Sequence, residues 1–207
     1  MSEFSQHAKK YLLEIKELLP YFLDFIKNPV RAIKSAPTLD WPIILILQFI
    51  LSAGSGALLG IVSQNYINFF FGIFIWPFIV LILAGVTTLI ILYSLSLGMA
   101  KEVHLKTLST LVTLSGLPYL CFHILSDFFA PIDLLGFGCS CLILIVGLVH
   151  QFQLDKQKVS RIIGALYLMF VMAWVFNALK ASLEPPKFRS YQRVESLDKM
   201  QDEVNRQ

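Results

Sequence analysis

His123 and Asp127 stand four residues apart, the spacing that brings two side chains onto one face of a helix. An imidazole beside a carboxylate in an apolar segment can carry a proton or hold a cation. The same pair near a membrane boundary can instead hydrate itself and fix the depth of its helix. Thr107, Thr110, Thr113 and Ser115 extend the polarity along that segment, so His123 and Asp127 head a candidate polar path. Hydroxyls of this kind also commonly bond back to their own backbone. His104 with Glu102, and His150 with Asp155, lack the further ligands a metal site needs and read as solvated helix ends. Cys139 and Cys141 form C-x-C, neither a CxxC redox site nor a paired zinc clip, and with Cys121 they read as packing residues. HExxH, GxSxG, P-loop and GxGxxG signatures are missing, and nothing sets a nucleophile beside a base. These residues predict no enzyme, no cofactor and no bound metal.

The elements that must position such groups are membrane-spanning helices. The 207-residue chain is 56% hydrophobic and 15% charged, against about 25% charged for a soluble domain. Its apolar stretches run Trp41–Ser63, Ile67–Met99, Leu108–Phe129, Leu134–Phe152 and Ile162–Leu179. A bilayer core of about 30 Å is crossed by about 20 helical residues, and every stretch is near or above that length. The expected fold is all-α integral membrane, with five transmembrane helices in a compact bundle and an N-terminal interfacial amphipathic helix. Residues 1–40 form the cytosolic helical segment, 41–180 the transmembrane domain and 181–207 a short polar tail. The second stretch is long enough for one tilted, proline-kinked helix and too short for two crossings. Pro77 and Pro118 mark kinks, and Asp40, Asp133 and Ser160 stand where they can cap the first, fourth and fifth helices.

Basic residues orient the chain. Lys9, Lys10, Lys16, Lys27, Arg31 and Lys34 precede the first span, Lys101 and Lys106 follow the second, and Lys156, Lys158 and Arg161 precede the last. The links around Asn65 and Pro131 have none. This alternation puts the N-terminus in the cytoplasm and, with five spans, the C-terminus outside, in a multi-pass protein of the cytoplasmic (inner) membrane. A net charge of +3, spread along the chain, argues against nucleic acid and leaves the lipid bilayer as the expected partner.

Ahead of the first span, apolar residues recur with helical period from Phe4 to Lys27. Phe4, Ala8, Tyr11, Leu12, Ile15, Leu18, Leu19 and Phe22 share one arc, and Glu3, Gln6, Lys9, Lys10, Glu14, Lys16 and Glu17 the other. The pattern predicts an amphipathic helix, bent near Pro20 and ended before Pro29. It either lies on the membrane surface or packs on the cytosolic ends of its own spans. Acidic and basic residues nearly balance over residues 1–40, so apolar burial rather than charge must hold it. Within the first span, Ser52, Gly56 and Gly60 recur every four residues and form a helix-packing face. Small residues let backbones approach closely, either in a homo-oligomer or against a helix of the same chain.

The chain resembles the Yip family of Ypt/Rab-interacting membrane proteins and their prokaryotic relatives, over about residues 28 to 180. The resemblance rests on Asn28-Pro29-Val30-Arg31-Ala32-Ile33, on Ser115-Gly116-Leu117-Pro118-Tyr119-Leu120, and on Val146-Gly147-Leu148-Val149-His150 followed by Lys156-Gln157-Lys158. A DLYGP-type motif, typical of eukaryotic members, is missing, so the likeness is to a prokaryotic-type member and Rab binding is not carried over. It implies a non-enzymatic membrane scaffold that recruits a membrane-protein partner or organises the membrane. The alternative is a small transporter, channel or lipid-moving protein that uses the polar path on the third helix.

Overall fold

The computed structural model describes residues 18–99, 103–126, 128–129 and 131–183, and every regular element among them is helical. The chain divides into two units, Met1–Tyr167 and Leu168–Gln207. Among the described residues four helices are long and apolar enough to cross a membrane: Trp41–Val62, Trp76–Leu97, Ile132–Phe152 and Lys156–Lys180.

The first unit opens with α1 (residues 18–27) and α2 (Pro29–Ala32), followed by a single 3-10 turn, Ile33–Ser35. Asn28 separates the two helices: its side chain accepts from the Arg31 amide at 3.2 Å, and Pro29 starts α2 where its missing N–H costs nothing. The first crossing helix is α3 (Trp41–Val62). It turns through Gln64, whose φ of 53° lies in the left-handed region, and α4 (Tyr66–Phe74) begins on an Asn65 cap. The Asn65 carboxamide oxygen accepts from the Ile67 and Asn68 amides at 3.0 and 3.3 Å.

The stretch expected as one kinked helix is α4 followed by α5 (Trp76–Met99). Pro77 has no N–H to donate to Ile73, so the helix breaks at Ile75 and restarts with proline in its first turn. The stretch expected over Leu108–Phe129 is two short helices, α6 (Leu105–Ser115) and α7 (Leu117–His123), which meet at Gly116. Pro118 sits in the first turn of α7 and causes this second break. Then come α8 (Ile132–Phe152) and α9 (Lys156–Leu183).

The core of the first unit is built around α6. Every residue from Leu108 to Ser115 is buried, so this helix meets neither lipid nor water along that length. That burial explains how one segment carries Ser109, Thr110, Thr113 and Ser115: a helix enclosed by protein need not be apolar on every side. Leu108, Leu111 and Leu114 pack in one cluster with Ile43, Ile44, Ile91, Leu95, Leu144, Leu148, Val159 and Ile163. By contrast α5 turns Phe78, Ile82, Val86, Leu89 and Tyr93 outward, the lipid-facing surface of a crossing helix.

None of the three expected caps, Asp40, Asp133 and Ser160, is the side-chain cap of its helix. Asp40 is the N-cap residue of α3 but makes no side-chain cap bond, and its carboxylate pairs with Lys106 instead. Ser160 lies inside α9, and the cap is Asp155, whose carboxylate accepts from the Gln157 amide at 2.9 Å. Asp133 stands in the first turn of α8 and reaches His123. In the second unit, residues 168–183 continue α9, and Leu168, Met169, Met172, Phe176 and Leu179 are exposed apolar side chains.

Candidate functional site

The helix that carries His123 ends there, and residues 124–126 form a turn. Asp127 lies outside the described residues. The carboxylate that His123 meets is Asp133 on α8, with Nδ1 3.2 Å from Oδ1 and side chains 12% and 21% exposed. The imidazole is stacked on the Trp76 indole, with centroids 4.4 Å apart and planes 15° apart. Tyr119 stacks on it at 5.7 Å. Trp76 immediately precedes Pro77 and Tyr119 immediately follows Pro118, so the two helix breaks converge on one imidazole.

The neighbouring hydroxyls are already committed. Pro118 frees the first turn of α7, and the Tyr119 amide donates to Ser140 Oγ at 3.1 Å. At the other end of α7 the Leu120 carbonyl, one of the last four in the helix, accepts from Ser55 Oγ at 2.8 Å. Serines on α8 and α3 thus close both ends of a seven-residue helix. Ser55→Ala or Ser140→Ala leaves one buried backbone group without its partner, and each is expected to cost about 1 kcal/mol. Thermal unfolding in detergent measures both.

Two of the four hydroxyls expected along a polar path bond to backbone. Thr110 Oγ1 donates to the Lys106 carbonyl at 3.0 Å and accepts from the Leu39 amide at 3.3 Å. Ser115 Oγ donates to the Val112 carbonyl at 3.1 Å. What remains is a His123–Asp133 hydrogen bond from α7 to α8, with the Trp76 and Tyr119 rings against the imidazole and the Trp76 Nε1 donor buried and unbonded beside it. Such a hub fixes helix positions. Among the described residues no three His, Cys, Asp or Glu side chains gather where a metal could bind.

Ser52, Gly56 and Gly60 have their neighbours within the chain. A Cβ on Gly56 would lie 2.5 to 2.8 Å from the backbone of Gly72, and one on Gly60 would strike the backbone of Phe69. Phe49 meets Phe78 at 5.7 Å in the same antiparallel register. Ser52 Oγ donates to the Gln48 carbonyl at 2.6 Å, within its own helix. Sequence reasoning missed the partner, Gly72, because a lone glycine among Phe69, Phe70, Phe71 and Phe74 matches no small-residue motif. Beside this contact, at the α3–α4 turn, a groove of about 560 Å³ is lined by Gly60, Ile61, Gln64, Asn65, Tyr66 and Phe69.

Phe4, Tyr11, Leu12 and Ile15 lie outside the described residues. Leu18 and Leu19, expected on one arc, part company: Leu18 packs toward the core with Tyr21 and Phe22, and Leu19 points away. Phe25, Ala32 and Ile33 are 3%, 1% and 0% exposed, which locks the segment before the first crossing helix into the transmembrane core. Ile33 fits against Gly147 of α8 and beside Leu111 of α6. The Tyr21 hydroxyl donates to the Ala32 carbonyl at 3.2 Å, tying α1 to α2. Burial, with Asp24 nearby, pushes that phenol up to about 12, so the donor keeps its proton at any physiological pH. Gln151 of α8 donates to the Ala36 carbonyl at 2.9 Å and completes the clamp.

The chain matches no protein-family model, no curated protein and no solved structure.

Proposed function

We infer that this chain is a non-enzymatic polytopic membrane protein of the Yip type, a scaffold that recruits a partner or organises the membrane through its α1–α2 segment. One observation carries the reading: that segment is clamped into the core by Phe25, Ala32 and Ile33 while Leu19, Leu23, Ile26 and Val30 stay outward. A rigid, outward-facing apolar surface beside a membrane domain is built for contact. The Yip resemblance is supported by where its motifs fall. Asn28–Ile33 forms the capped turn that delivers Ile33, Gly147 in the Val146–His150 motif receives it, and Ser115–Leu120 forms the break between α6 and α7.

In this reading α6 and α7 together make the fifth crossing, since Leu105–His123 spans about 28 Å. The end of the first unit that carries α1 and α2 faces the cytoplasm, where Lys106 and Lys156 also lie, and five crossings put the C-terminal tail outside. Transport along a polar path is the weaker reading, because Thr110 and Ser115 bond to backbone and His123 is stacked on Trp76 and Tyr119.

A photoreactive residue at Leu23 or Ile26, irradiated in native membranes, is expected to cross-link to lipid or to another polypeptide. The same residue at Phe25 or Ile33 should cross-link only within the chain. Failure of both outward positions to capture anything external would remove the outward face as the working surface.

A further inference from the structure

We propose that Leu19, Leu23, Ile26 and Val30 dip into the cytoplasmic leaflet of the bilayer that α3 crosses, with Lys27, Arg31 and Lys34 set against anionic lipid headgroups. This rests on the scaffold reading and names the partner of the same surface.

Helical residues advance about 100° each, which sorts α1 into three sectors. Leu18, Tyr21, Phe22 and Phe25 face the core. Next around the helix come Leu19, Leu23 and Ile26, which are apolar yet 59%, 54% and 77% exposed. The third sector holds Asp24 and Lys27, exposed and charged. A helix on a soluble protein needs two sectors, one buried and one polar. Three sectors in the order core, exposed apolar, charged place α1 at the corner where protein, lipid and water meet. Val30 on α2 adds a fourth outward aliphatic side chain, 47% exposed.

The surroundings choose lipid as the occupant. The segment cannot swing away, since Phe25, Ala32 and Ile33 anchor it. Only residues 36–40 separate its last turn from Trp41, the exposed first residue of α3, and a fully extended chain of that length covers about 18 Å. The segment therefore ends within that reach of the start of α3, whose exposed apolar residues begin with Trp41, Leu45 and Phe49. A stable polypeptide partner takes about 800 Å² per side, far more than four aliphatic side chains offer, whereas a leaflet sets no minimum area. Charge agrees. Over the described residues 18–35 the bases outnumber the acids, and farther on Asp40 is taken by Lys106. Among the described residues of that segment, Asp24 is the one acid set against Lys27, Arg31 and Lys34.

The test uses the full chain with Cys121, Cys139 and Cys141 replaced by serine. Single nitroxide labels are placed at Leu19, Leu23, Asp24, Phe25, Ile26 and Lys27, in vesicles of phosphatidylcholine with or without phosphatidylglycerol. Labels at Leu19, Leu23 and Ile26 should collide with oxygen more than with a water-soluble nickel complex. Labels at Asp24 and Lys27 should show the reverse, and Phe25 should be shielded from both. Phosphatidylglycerol should gather around the protein, and each of Lys27→Gln, Arg31→Gln and Lys34→Gln should weaken that association roughly fivefold at low salt. Nickel access at the stripe would put it in water and overturn the proposal. Shielding of the stripe from both reagents would mean that a polypeptide covers it, overturning lipid as the occupant while leaving the scaffold reading intact. Indifference of the wild type to phosphatidylglycerol would overturn the assignment of the basic residues.

Discussion

Gly56→Leu and Gly72→Leu each lower the stability of the protein by about 3 kcal/mol or more, read by denaturing-detergent titration followed by circular dichroism. The size of the effect comes from what the new side chain meets. At both positions a Cβ lands on the backbone of the opposite helix, so no rotamer change relieves the overlap and α4 must move away from α3 as a body. Within a bilayer no hydrophobic effect restores that contact, because lipid tails are as apolar as the side chains. Gly54 and Gly85 supply the controls: a Cβ at either meets nothing within 4 Å. Gly54→Ala and Gly85→Ala should be neutral or gain up to about 1 kcal/mol from helix propensity. Wild-type stability in Gly56→Leu would contradict the α3–α4 contact. A stable monomer that no longer dimerises would make the glycine face an intermolecular one.

Ile33→Asp has the second large effect, and it is local. Ile33 is fully buried between Gly147 and Leu111, so a carboxylate there either stays unpaired out of water or expels the segment that carries it. At a cost of several kcal/mol the open form rises by about 100-fold or more. Trypsin reads that population at Lys27, Arg31 and Lys34 when cleavage is slow relative to reclosing. Cleavage at these sites is expected to accelerate by about 100-fold in Ile33→Asp and to stay at the wild-type rate in Asp24→Asn, whose side chain lies on the charged, exposed sector of α1. Equal rates in the two variants would mean that the segment is not clamped.

Much of the fold was legible because long apolar runs have one economical solution in a bilayer. The expected Trp41–Ser63 and Leu134–Phe152 correspond closely to α3 and α8, where apolar length and helix length coincide. Pro118 was read as a kink within one span, and the helix breaks there outright; hydropathy cannot show how far such an interruption goes, because the repair comes from Ser140 and Ser55 in distant parts of the sequence. His123 was singled out, but Asp133, the carboxylate it meets in the structure, was not. Helical spacing pointed to Asp127, whereas α7 stops at His123 and folds back, bringing Asp133 alongside. The residues before the first span were read as one apolar arc, and a single arc cannot represent a helix with two different apolar neighbours. Leu18 and Leu19, adjacent in sequence, ended on the two sides of that division.

Flux measured on the purified protein in liposomes, beside a His123→Ala, Asp133→Asn double variant, tests the central claim most directly. With protein shown to be folded and inserted, the scaffold account predicts ion and lipid movement no faster than in protein-free vesicles, for both proteins. Flux that appears with the wild type and vanishes with the double variant would contradict it and make the His123–Asp133 bridge part of a conducting path.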